Sequence, residues 1–324
     1  MKKRKPKILL TTGDPNGIGP EIILKIFSDN KFTSVFDLFI SGNKKIFDIY
    51  SEILKIKTIS SDRIINLKLP KGFKLTPGKI LRSAGEISGD SIIQSVRLCM
   101  EKKFDAVVTM PISKESLNLG GFKYPGHTEM LKDLTKSEDA VMILYSKKFS
   151  VAMITGHIPV SGISKVINEK KSEQFITEKI ITVNNSLVTD LGKKSPRIGI
   201  LALNPHAGDG GVLGHEENEI LSPVIEELNS VGFNVRGPFP ADAYFANGIY
   251  KKFDITIAMY HDQGLIPFKM ISFGKGVNFT AGLNIIRTSP DHGTAFDIAG
   301  LGRAEVESTK QAILLSAEIS KRRN

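Results

Sequence analysis

One cysteine in 324 residues, Cys99, excludes an internal disulfide and a thiolate metal cage. Long apolar runs are missing too. None approaches the roughly 18 residues of a membrane helix, which excludes the bilayer as solvent. No fixed-period repeat, low-complexity tract or Pro/Gly/Ser linker interrupts the chain, so a second domain is expected as a middle insertion, with the chain crossing between domains more than once. The opening MKKRKPKILLTTGDP is basic, yet only three apolar residues follow Lys7 before threonines and a glycine. That is too short for a signal-peptide core, and a cytoplasmic location is expected.

The formal net charge of +10 raises the question of nucleic acid. Its distribution argues against that: lysines in KIFSDNKF and NEKKSEQFITEKI are interleaved with acids, and no aromatic-rich basic motif accompanies them. A solvated lysine-rich surface attractive to small anions is the better account. At 41% hydrophobic and 24% charged, the chain has an ordinary globular composition, and its length allows two cores.

Short apolar runs ending in turn residues recur: PKILLTTGD, DLFISGN, DAVVTMP, DAVMILYS, SVAMITGH, RIGILALNPH and ITIAMYHD. Between several of them GDSIIQSVRLCMEKK, SEQFITEKIITVNNSLVTDLG and EENEILSPVIEELNSVG carry apolar residues three and four apart. Strand and helix in alternation predict an α/β fold with a mostly parallel sheet under helical cover.

Three of the strand-like runs give way within a residue or two to a histidine: His157, His206 and His261. Ligands of open α/β sheets gather at the carboxyl ends of strands, so these three share one structural address. A single such histidine is ordinarily a hydrogen-bonded turn residue. Three suit a divalent metal, because neutral imidazole binds zinc and its first-row neighbours and a catalytic site keeps positions open for substrate.

Other strand ends add anion chemistry. In GDPNGIGPEIILKIF, Gly17, Gly19 and Pro20 lead into a helix whose first N–H groups could receive an anion, although the spacing is not G-x-G-x-x-G and such a loop is more often a tight turn than a binding site. In YPGHTEML, His127 and Thr128 open a helix. They suit a phosphate or carboxylate, or Thr128 serves only as an N-cap. Lys269, Asn278 and Arg287 are singly ordinary surface residues; close to a candidate metal they read as clamps for two oxyanions.

TTGDPNGIGPEI, PISKESLNLGG, YPGHTEML, NPHAGDGGVLGHEE, GPFPADAYF, YHDQGLIPFK and GVNFTAGLNIIRTSPDHGTAFDIAG together resemble the signature stretches of the 4-hydroxythreonine-4-phosphate dehydrogenase family, from first strand to last helix. The resemblance implies an isocitrate/isopropylmalate dehydrogenase-like α/β fold with two α/β domains flanking a cleft. Residues 1–128 with 278–324 would form the first, NAD-binding domain, and 129–277 a central domain carrying metal ligands and dimer contacts. It implies a divalent metal (zinc, cobalt or magnesium) on His157, His206 and His261, and substrate on His127, Thr128, Lys269, Asn278 and Arg287. DHGTAFDIAGLGRAE is similar to the loop by which the wider superfamily holds the adenosine of NAD, which puts cofactor binding on His292, Gly293, Thr294 and Asp297, with NADP the alternative. A homodimer whose subunits share each active site is implied as well. All eight metal and substrate positions carry the residue type the family requires.

The activity so implied is oxidation of 4-phosphooxy-L-threonine to 2-amino-3-oxo-4-phosphooxybutanoate, which loses carbon dioxide to give 3-amino-2-oxopropyl phosphate for pyridoxine 5'-phosphate biosynthesis. Lys269 would hold an anionic group, and Asp242 and Asp262 compete for the role of general base, Asp262 alternatively orienting a ligand histidine. A sibling dehydrogenase for D-threonate or D-erythronate 4-phosphate would need nearly the same groups. A metal-dependent phosphatase using Asp209 and Asp262 would need no NAD, and a non-enzymatic module would bind metal and anion without turnover.

Overall fold

Seven apolar runs form strands: β1 (Lys7–Thr11), β2 (Asp37–Gly42), β4 (Ala106–Val108), β5 (Val141–Tyr145), β6 (Ser150–Met153), β7 (Arg197–Leu201) and β9 (Ile255–Ala258). Four others complete the set: β3 (Ile64–Asn66), β8 (Asn234–Phe239), β10 (Val277–Ala281) and β11 (Arg287–Pro290). The coordinates are a computed structural model describing residues 4–272 and 274–323. They divide into two compact units, Met1–Glu138 with Val277–Asn324, and Asp139–Gly276.

In the first unit the strand order is β3-β2-β1-β4-β11-β10, all parallel except the antiparallel pair β10–β11. Helices Gly19–Ser28, Arg82–Met100 and Glu307–Arg323 bury their apolar faces, and residues such as Ile8, Leu10, Ile22, Ile40, Val107 and Ile313 are sealed from solvent. Each such side chain contributes about 1.5–3 kcal/mol of burial free energy. The expected domain border at residue 128 is corrected to Glu138, because His127–Thr135 is one unbroken helix packed against Arg82–Met100.

In the second unit the order is β5-β6-β9-β7-β8, parallel apart from β5–β6. Its core is aromatic: Phe149 meets Phe245 and Tyr250 edge to face, and the buried Tyr244 shares a 2.8 Å hydrogen bond with Thr256. The order β6-β9-β7 sets the three histidine-bearing strands side by side. Among the described residues no helix is long and apolar enough to cross a membrane.

Candidate active site

The residues His261, Asp262, Gln263 and Gly264 follow β9 and open a helix, His261–Ser272, which Gly264 and the internal Pro267 conceal in the sequence. Each does something different. Gln263 is buried and accepts from the Met259 N–H (2.7 Å) while donating to the Ala202 carbonyl (2.7 Å), which stitches the ends of β9 and β7 together. A Cβ at Gly264 would stand 2.9 Å from Val151 Cγ2 and 3.2 Å from Ala258 Cβ, so only glycine lets the helix lie this close to β6 and β9. Asp262 Oδ1 lies 2.6 Å from His261 Nδ1, fixing the ring and leaving Nε2 as its lone-pair nitrogen.

The loop after β6 is tied to the same place. Ile154 N donates to Ala258 O (2.9 Å), and Thr155 Oγ1 donates to Met259 O (2.6 Å). The result is that the rings of His157 and His261 stand 5.5 Å apart between centroids. Two imidazoles sharing one tetrahedral ion stand roughly 5 Å apart by that measure, so this pair fits a divalent metal.

His206 does not join them: among the described residues no three His, Cys, Asp or Glu side chains gather as a metal cluster. It is exposed, in a turn where His206, Ala207, Gly208, Asp209 and Gly210 all have positive φ, from 45° to 79°. The non-glycine members His206, Ala207 and Asp209 each cost roughly 1–2 kcal/mol in this left-handed conformation. Such strain persists only where surrounding contacts over-determine it, and it marks functional sites.

The first unit carries the anion chemistry. Arg287, on β11, is 1% exposed, and its guanidinium donates only to neutral oxygens: Thr109 Oγ1 (3.0 and 2.7 Å), Thr280 Oγ1 (2.9 Å) and Asn278 Oδ1 (3.4 Å). Burial brings its pKa down to about 9, so it remains a cation at neutral pH. No carboxylate pairs with it among the described residues. A buried, unneutralised cation is a standing demand for an anion.

His127 lies within range of that charge. Burial, and secondarily Arg287, hold it well below the ordinary histidine range, and its Nε2 is shielded from solvent with no hydrogen-bond partner. The helix it opens has Gly126 at its N-cap and no side-chain cap, so Thr128 does not serve in that role and its half-buried hydroxyl stays available. A buried cation, a neutral imidazole and an uncapped helix N-terminus make a cradle for phosphate or carboxylate.

The loop of His292, Gly293, Thr294 and Asp297 is irregular and rests on the glycine turn after β1: Ile18 N donates to Thr294 O (3.0 Å), and a Cβ at Gly17 would stand 3.0 Å from that carbonyl. The glycine turn itself is buried, with Gly17 N donating to Asp14 O (3.0 Å) and Ile18 N to Thr294 O (3.0 Å). It therefore supports the His292 loop. His292 Nε2 is buried without a partner, while Gly293 and Asp297 are exposed. An unpartnered ring nitrogen beside exposed backbone fits a bound dinucleotide.

Lys269, near the end of its helix, and Asp242, in the first turn of Ala241–Ala246, are exposed and make no hydrogen bond or ion pair among the described residues. Gln263 and Gly264 stand out in the sequence where the apolar run stops, but without a role, and Thr109 does not stand out at all. Nothing in the local stretch VVTMP hints that Thr109 would hold Arg287.

Comparison with known proteins meets the geometry here. The chain is 38% identical to the 4-hydroxythreonine-4-phosphate dehydrogenase of Bacteroides thetaiotaomicron, covering 100% of this chain and 91% of that one. It is 36% identical to the D-threonate 4-phosphate dehydrogenase of Salmonella typhimurium, covering 97% and 98%. The crystal structure of 4-hydroxythreonine-4-phosphate dehydrogenase from Klebsiella pneumoniae superposes with a TM-score of 0.85 at 35% identity, covering 98% of this chain and 100% of that one. Fold and relatives define an oxidoreductase built on an α/β fold. A model of the family described as pyridoxal phosphate biosynthetic protein PdxA matches residues 34–316, and the chain belongs to that family.

Proposed function

We propose that this chain oxidises 4-phosphooxy-L-threonine at C3 with NAD and a divalent metal, giving 2-amino-3-oxo-4-phosphooxybutanoate, which decarboxylates to 3-amino-2-oxopropyl phosphate. The names of its relatives support the substrate, and dehydrogenases of the family depend in general on a nicotinamide and a metal. The observation that carries the reading is Arg287, a buried cation whose partners among the described residues are neutral, beside the unpartnered nitrogen of His127.

His157, His206 and His261 would hold the metal, which when bound would supply positive charge that lowers the pKa of a nearby hydroxyl, and a bound nicotinamide would supply the hydride acceptor. Asp262 keeps His261 in the tautomer whose Nε2 carries the lone pair. Because Asp262 is so engaged, Asp242 is the better general base for the C3 hydroxyl proton. Arg287, Asn278, His127 and Thr128 hold one anionic group of the substrate, and Lys269 holds another, fixing C3 for hydride transfer. His292, Gly293, Thr294 and Asp297 receive the adenosine of NAD. Only two of the three histidines converge within one chain, which supports a homodimer in which a second copy completes each metal site.

A second reading, oxidation of D-threonate 4-phosphate, is favoured by the 36% identity to an enzyme of that name. The test is turnover by the metal-replete protein, offered each phosphorylated substrate with NAD and with NADP. Faster NADH formation from 4-phosphooxy-L-threonine is expected. Preference for the sugar acid moves the assignment to the sibling activity, and phosphate release without NAD would sink both.

A further inference from the structure

The stretch NPHAGDGGVLGHEE ends in adjacent glutamates that the proposed chemistry leaves unused, and both are buried: Glu216 is 8% and Glu217 1% exposed. No lysine or arginine pairs with either among the described residues. Their oxygens are instead filled by neutral donors from two loops. Asn204, two residues before His206, gives its backbone N–H to Glu217 Oε1 (2.7 Å) and its amide Nδ2 to Glu217 Oε2 (3.0 Å) and Glu216 Oε2 (2.8 Å).

The other oxygen of Glu216 faces the His157 side. Its Oε1 accepts from Ser164 Oγ (2.7 Å) and Asn168 Nδ2 (2.9 Å), which belong to and cap the helix Ile163–Ile167 that follows the His157 loop. Burial raises the pKa of Glu216, but the bonds from Ser164, its own backbone, Asn204 and Asn168 outweigh that and hold it down to about 2, so the group stays ionised.

Glu217 also supports the left-handed turn directly. A Cβ at Gly208 would stand 2.7 Å from Glu217 Oε2, so the carboxylate is packed against the middle of the turn that carries His206. The π-helical turn Glu217–Leu221 follows at once, a geometry that recurs at functional sites.

We propose that Glu216 and Glu217 are positioning residues: through Asn204 on one side and Ser164 and Asn168 on the other, they lock the loops bearing His206 and His157 into the arrangement that offers both rings to one class of divalent cation. This rests on the metal-ligand role proposed above for those histidines.

The test uses the full chain, with amide hydrogen exchange of the metal-free protein and calorimetric titration with Zn2+ alone. In Glu217→Ala, exchange over residues 202–214 is expected to rise at least tenfold, with the first unit unchanged, and Zn2+ affinity to fall on the order of 10–100-fold. Glu216→Ala is expected to loosen residues 160–168 as well. Glu217→Gln keeps one acceptor for the Asn204 N–H, and should fall between wild type and Glu217→Ala; it serves as the readable variant if the alanine form does not fold. Exchange in these loops identical to wild type in Glu216→Ala and Glu217→Gln overturns the proposal. His206→Ala is the separate control: if loop exchange rises in the glutamate variants but His206→Ala binds Zn2+ as tightly as wild type, it is the metal reading that fails.

Discussion

The imidazoles of His157 and His261 stand with ring centroids 5.5 Å apart, each just beyond the end of one of two hydrogen-bonded parallel strands. Asp262 accepts at His261 Nδ1, and its own side chain is 70% exposed, so it contributes little to the fold. Asp262→Ala is therefore expected to leave thermal stability within about 0.5 kcal/mol of wild type while weakening Zn2+ binding roughly 10–100-fold. Unchanged Zn2+ affinity by calorimetry would remove Asp262 from any orienting role.

Arg287 poses the opposite trade. Its guanidinium is buried and, among the described residues, bonded to neutral oxygens, so apolar replacement removes a desolvated charge along with those bonds. Exchanging a buried ion for a well-packed apolar side chain is often neutral or stabilising. Arg287→Met is thus expected to keep or raise Tm while increasing KM for the phosphorylated substrate by about 10–100-fold, the loss of a charge-assisted contact. A large fall in Tm with KM intact would mean that Arg287 is only structural.

How much of this was legible beforehand differs by element. The seven apolar runs were readable because burial makes them continuous, and the histidines because each sits just past such a run. The strand pair β10 and β11, which buries Arg287, was not, since glycine, asparagine and proline interrupt GVNFTAGLNIIRTSP. The helix His261–Ser272 was hidden by Gly264 and Pro267, residues that usually end helices. The left-handed turn at His206 depends on contacts from Glu217 and Asn204 that no local pattern announces.

His127 supplies a pH signature. Burial, then the nearby Arg287 charge, hold its folded pKa well below the ordinary 6.5, so the ring is neutral in the folded protein. The unfolded chain takes up a proton below about 6.5 while the folded chain does not. Stability from this group is therefore complete above that value and is lost as pH falls toward the folded pKa, at up to about 1.4 kcal/mol per pH unit. Urea denaturation of wild type and His127→Asn between pH 7 and about pH 5 is expected to show a shallower decline in the variant. Parallel slopes would contradict a buried neutral ring.

Gly264 joins fold and site most directly. A Cβ there would stand 2.9 Å from Val151 Cγ2 and 3.2 Å from Ala258 Cβ, both on strands whose ends place the histidine pair. Neither contact is with the tip of a long flexible side chain, so the helix His261–Ser272 itself must move outward. Overpacking of this kind costs about 1–3 kcal/mol. Because His261 is the first residue of that helix, the displacement also separates its ring from that of His157. Gly264→Ala is accordingly expected to lose about 1–3 kcal/mol in urea denaturation and to weaken Zn2+ binding. A variant that loses stability yet binds Zn2+ as tightly as wild type would show that the close approach of helix to sheet serves packing alone.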